Sequence, residues 1–211
     1  MPRNILLVCG ILSALLYGAM IVAIRYDGYS LLSQTVSELS AIGAPTRALW
    51  MALGFVYEAL AVAFGLGVWL SAGGKRALRV AGGLLLAFAM LGLLWPFASM
   101  HRREALAAGG ATFSDTLHII LGAVTVLFML AAIWVASTAF GKRFRLYSIA
   151  TFLILLLFGV LTGLDSPNIS ANLPTPWIGL WERINIAGFL LWVAVLAIAL
   201  LREPERKEKQ S

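Results

Sequence analysis

Asp115 and His118 stand three residues apart in the stretch SDTLH. On a helix, residues at that spacing share a face. A carboxylate and an imidazole so placed can ligate one metal ion. Zinc asks for a third protein ligand and an open position for water. His101, Glu38 and Asp165 are candidates for that ligand, and Asp115, His118 and His101 form the preferred set. Water activated on such a metal would attack an ester or an amide. Without a metal, Ser33 or Ser37 as nucleophile would need His118 or His101 as its base. The same stretch has a plain structural use, because Ser114 or Asp115 caps a helix and an acid suits the positive end of its dipole.

Glu58 poses a different question. It falls inside the long apolar run from Trp50 to Leu70. An acid at the centre of a membrane helix costs about 2.5–3.5 kcal/mol on insertion scales, so Glu58 must face protein or a wet cavity. In WERIN, Glu182 suits a helix N-terminus while Arg183 opposes the dipole, which calls for a partner such as Asp165, Glu38 or a lipid phosphate. Asn185 lies just inside and can join that network. Asp165, in GLDSPN, sits where an apolar run ends and Pro167 is expected to break a helix.

Elements made mostly of apolar sequence must position these groups. The 211 residues are 61% hydrophobic and 12% charged, with mean hydropathy +0.90. Six apolar segments recur, at Ile5–Ile24, Trp50–Leu70, Val80–Pro96, Leu117–Ser137, Leu146–Leu164 and Ile184–Leu201. Each is long enough to cross a bilayer core of about 30 Å as a helix. Helices satisfy their own backbone in lipid, and the alternating pattern of a barrel is absent. The fold class is therefore an all-α membrane protein of six transmembrane helices. Residues 1–201 form one domain, and residues 202–211 form a charged tail. The first run exceeds a signal-peptide core in length and is read as a retained helix.

Of the sixteen basic residues, eleven fall on the side of the termini and five on the other. The positive-inside rule then places both termini in the cytoplasm and the chain in a cell (inner, or cytoplasmic) membrane. The net charge of +6 is met by this asymmetry and needs no nucleic-acid partner. Cys9 is the single cysteine, so no intrachain disulfide forms. The three outer connections are much longer than the two cytoplasmic ones, and connections of that length usually carry structure or function. In the first of them, Leu32, Val36, Leu39 and Ile42 follow helical spacing beside Ser30, Ser33, Ser37 and Ser40. That pattern predicts a short amphipathic helix closed by Gly43 and Pro45. Trp50, Trp95, Trp177 and Trp181 are expected in an outer aromatic belt. Ala14 and Gly18 are expected at a close helix contact, and Gly65, Gly67, Gly82 and Gly83 likewise.

With YSLLSQTVSELSAIGAPTR after the first helix, SDTLH opening the fourth and LWERINI opening the sixth, the chain resembles a prokaryotic membrane family catalogued as domain of unknown function 998. The resemblance spans Ile5 to about Leu201 and implies six helices in a bacterial cell membrane, with no activity attached. A looser likeness is to membrane hydrolases that include alkaline ceramidases, which hold zinc among serine, aspartate and histidines at one end of a bundle. Ser33 or Ser37, Asp115, His118 and His101 are similar, whereas the late H-x-x-x-H pair of those enzymes is lacking.

Three functions follow as expectations. The first is binding or transport of a lipid-like or amphiphilic small molecule, with membrane lipids as the other partners. The second is a metal-dependent intramembrane or interfacial hydrolase, and the third a structural or assembly protein. The candidate site joins Ser33, Ser37, Glu38, Glu58, His101, Asp115, His118, Asp165, Glu182, Arg183 and Asn185 at the outer helix ends.

Overall fold

The computed structural model describes residues 3–203. Apolar sequence folds into six helices long and apolar enough to cross a membrane, so the chain is a multi-pass membrane protein. These are α1 (Arg3–Ala23), α2 (Arg47–Leu70), α3 (Arg76–Gly92), α5 (Phe113–Ala136), α6 (Lys142–Ser170) and α7 (Ile178–Arg202). A short α4 (Arg103–Ala107) lies in the connection between α3 and α5. The expected tail begins at the end of α7, and residues 204–211 lie outside the described part.

Several helices overrun their apolar stretch because polar residues close their ends. α5 begins at Phe113 rather than Leu117, since Asp115 accepts a hydrogen bond from the Thr112 amide (2.8 Å) in a capping box. α6 does not stop at Asp165, as the proline had suggested, but continues through Pro167 to Ser170. Proline removes the N–H that would reach the carbonyl four residues back. That carbonyl, on Gly163, accepts the Ser166 hydroxyl instead (2.9 Å).

The spanning helices form a closed ring in the order α1, α2, α3, α5, α6, α7, with α7 returning to α1. α5 and α6 touch each other least of all these neighbours. Arg3 ties the two terminal helices together, bonding Ser71 Oγ (3.0 Å) and the carbonyls of Leu200 and Glu203. This end of the ring is packed solid by Leu7, Val68, Leu78, Ile133, Leu196 and Leu200, all fully buried. Close approach falls at Gly82, against the Trp69 backbone, and at Gly67, against Leu6 and Leu7. It does not fall at Gly18, which has open space around it.

The other end carries the long connections, which knit into a cap. The first was expected as an amphipathic helix over Ser30 to Ile42. It is a set of turns followed by a 3₁₀ helix, Val36–Ser40. Val36 and Leu39 are buried there, while Leu32 and Ile42 from the same expected face are exposed. The segment crosses between the helix ends, so its residues pack on several sides and no single face is apolar. Trp50 also departs from the expected belt. It is buried, edge-on to Tyr17 at 5.7 Å. Ile42 pairs with the second connection through its amide and the Met100 carbonyl (2.8 Å).

Candidate functional site

The expected site residues, Asp165 apart, divide into two groups. Glu38, Arg183, His101 and the Ser33 backbone build the cap. Ser37, Glu58, Asp115, His118, Glu182 and Asn185 line a cavity beneath it.

In the cap, Glu38 is buried yet fully served. Its carboxylate accepts from the Thr35 amide (2.7 Å) and hydroxyl (3.0 Å), and meets Arg103 at 2.6 and 2.9 Å. Arg103 also donates to Thr175 Oγ1 (2.7 Å) and the Ser33 carbonyl (2.9 Å), so one guanidinium joins all three long connections. Burial works against the charge of Arg103. The hydrogen bonds and charge of Glu38 outweigh it and hold the guanidinium above its ordinary value. Nothing in the local pattern around His101 marks Arg103 as the cap's central residue.

Arg183 does need a partner, as its place near a helix start demanded, but the partner is neither Asp165 nor Glu38. It donates to the carbonyls of Ile21 (3.0 Å), Leu31 (2.8 Å), Gln34 (3.0 Å) and Gly179 (3.0 Å), and to the Tyr29 hydroxyl (2.5 Å). Tyr29 in turn donates to the Thr35 carbonyl (2.7 Å), and burial pushes its hydroxyl above the ordinary range despite the guanidinium beside it. Asp165 stands apart, bonded to Asn168 (2.7 Å).

The histidines separate as well. Asp115 holds His101 through its amide (2.7 Å) and Nδ1 (2.8 Å). His118 uses Nδ1 on the Ala98 carbonyl (2.7 Å) and lies against the Trp95 ring at 5.0 Å. A carbonyl only accepts, so Nδ1 carries the hydrogen and Nε2 is left free. Asp115, His118 and His101 thus do not face one point, and among the described residues no three His, Cys, Asp or Glu side chains converge as a metal site would require. Ser37 Oγ donates to Glu182 (3.2 Å), and the second oxygen of Glu182 takes the Val36 amide at the start of the 3₁₀ helix. Ser33 contributes its carbonyl, not its hydroxyl, to the Arg103 network.

The cavity measures about 970 Å³, within the usual range for a ligand pocket. Its mouth is polar, with Ser37, Ser40, Ser99, Asp115, His118 and Glu182. Its depth is apolar, with Phe88, Met129, Leu130, Leu155, Phe189 and Leu190. Asn185 crosses the wall to bond the Leu155 carbonyl (2.7 Å). Glu58 Oε2 and Thr125 Oγ1 are buried with no hydrogen-bond partner, and both residues line this space. At the loose seam, Ile119 and Leu127 of α5 and Leu156 and Val160 of α6 line the cavity and are exposed. An orphaned buried polar atom costs roughly 1–3 kcal/mol, which an occupant able to pair with it would relieve.

The family model described as Protein of unknown function (DUF998) matches residues 7–199. The chain therefore belongs to that family, as the three quoted stretches had indicated. No curated protein matches the chain, and no solved structure does.

Proposed function

We propose that this membrane protein binds an amphiphilic small molecule in the cavity between its helices. The observation that carries the reading is the gradient along that cavity, from a mouth of hydroxyls, carboxyls and an imidazole to a depth of aliphatic and phenyl groups. Such a surface matches a molecule with one polar end and one apolar end, because each part then leaves water or lipid for a matching surface. The exposed cavity residues at the α5–α6 seam support entry from the side, out of the lipid. With eleven basic residues on the terminal side against five, both termini lie in the cytoplasm. The cap and the cavity mouth then face the outer leaflet.

The test is to extract the protein in a maltoside detergent and identify by mass spectrometry what remains bound. A near-stoichiometric amphiphile is expected, and it should be lost in Gly163→Trp. A Cβ at Gly163 meets nothing within 4 Å, so the indole can enter the cavity without breaking a helix contact. Wild type and variant carrying the same trace material would overturn the reading.

A further inference from the structure

The charge inside the cavity decides which amphiphile it takes. Three carboxyl side chains line it, Glu58, Asp115 and Glu182, and among the described residues no lysine or arginine does. Two of the three are already engaged. Asp115 holds His101 and the Thr112 amide, and Glu182 holds Ser37 and the Val36 amide. Glu58 is the exception. It is 8% exposed, beside Gly92 at the cap end of α3, and its Oε2 has no partner. The nearest cap guanidiniums, Arg103 and Arg183, are committed to other acceptors and line no part of the cavity.

Two features of packing shape the surroundings of Glu58. Gly92 of α3 lies flush against its carboxyl, and a Cβ there would collide with it. The absent side chain is thus the room the carboxyl occupies. An aromatic cluster lines the same region: Tyr57 precedes Glu58 in the chain, and Tyr17 stands 4.6 Å from Tyr57 and 5.7 Å from Trp50. All three rings line the same space. A carboxylate without a partner beside aromatic faces is the chemistry that recognises an ammonium group. An anionic headgroup would meet three acids and no permanent cation.

We infer that the cavity is selective for cationic amphiphiles, with Glu58 as counter-ion to a protonated amine and the alkyl chain along the apolar wall. This rests on the amphiphile-binding reading and adds the sign of the charge and the residue that reads it. The test uses the full-length protein in a nonionic maltoside, titrated with dodecylammonium, dodecyl sulfate and dodecanol. Quenching of tryptophan fluorescence gives the readout, since Trp50 and Trp95 line the cavity. Dodecylammonium should bind more tightly than either of the others. Glu58→Gln should weaken the amine by about tenfold or more while leaving dodecanol nearly unchanged, because only the cation loses its counter-charge. If dodecanol or the sulfate binds wild type as well as the amine does, the charge assignment fails and the amphiphile reading stands. If Glu58→Gln holds the amine as tightly as wild type, the assignment to Glu58 fails. If none of the three binds, both readings fall. The comparison among probes needs only wild-type protein, so a poorly folded variant does not remove the test.

Discussion

Arg103 makes four hydrogen bonds from the second long connection. Its carboxylate partner, Glu38, lies 65 positions away and is 3% exposed. Breaking a buried pair leaves one charge uncompensated, at a typical cost of about 3–5 kcal/mol. Arg103→Ala should therefore lower the thermal unfolding midpoint in detergent by several degrees. Arg103→Lys should recover only part of the loss, because an ammonium cannot reproduce the two-pronged contact with Glu38 and still reach Thr175 and Ser33. The double variant Arg103→Ala, Glu38→Ala should fall well short of the sum of the single effects, since the pair acts as a unit. An additive double variant would show that the two residues stabilise the cap independently. The pairing itself was not legible beforehand. Arg183 could be recognised as needing a partner, from its misfit with a helix dipole, whereas Glu38 and Asp115 stood out only as possible ligands or, for Asp115, as a helix cap. Which partner each one takes is set by the three-way meeting of the connections, and no local spacing encodes that.

At the level of elements, the six helices were plain in the hydropathy because lipid leaves the backbone no other economical solution. Their ends were less so. Apolar runs mark where a helix meets lipid, whereas α5 extends into the polar cap on a capping box and α6 and α7 run on into it without a side-chain cap, none of which a hydropathy window registers. The loop segment failed as an α-helix for a related reason. Its regular spacing of serines serves contacts in several directions, including the Ser37 bond to α7. The α5–α6 seam was also invisible in sequence, although Gly122 and Gly159 mark its thin walls. A Cβ built on Gly122 meets only Trp95, at 4.0 Å, so Gly122→Ala should be tolerated and should gain up to about 1 kcal/mol from helix propensity. Gly122→Leu should fold equally well but occupy cavity volume, weakening dodecylammonium binding in the fluorescence titration. A Gly122→Leu protein with unchanged midpoint and unchanged binding would place the ligand elsewhere in the ring.

At the scale of the whole molecule, the two ends of the ring are built differently. One is sealed by fully buried aliphatic side chains and tied by Arg3 across the terminal helices. The other is a hydrogen-bonded lid over a cavity. A cavity near one end of the ring serves one leaflet, so the orientation of the chain decides which leaflet supplies the ligand. In the proposed orientation, with both termini in the cytoplasm, the lid faces the outer leaflet. Single cysteines test this directly once Cys9 is replaced by alanine. Ala111, exposed in the connection before α5, and Thr138, exposed between α5 and α6, sit at opposite ends of α5. Ala111→Cys should react with a membrane-impermeant maleimide on intact cells, and Thr138→Cys only after permeabilisation. The reverse pattern would turn the protein over and make the cavity a receptor for the cytoplasmic leaflet. Its selectivity for amines would then be read against the anionic lipids that face the cytoplasm, whose negative surface concentrates cations at the entrance between α5 and α6.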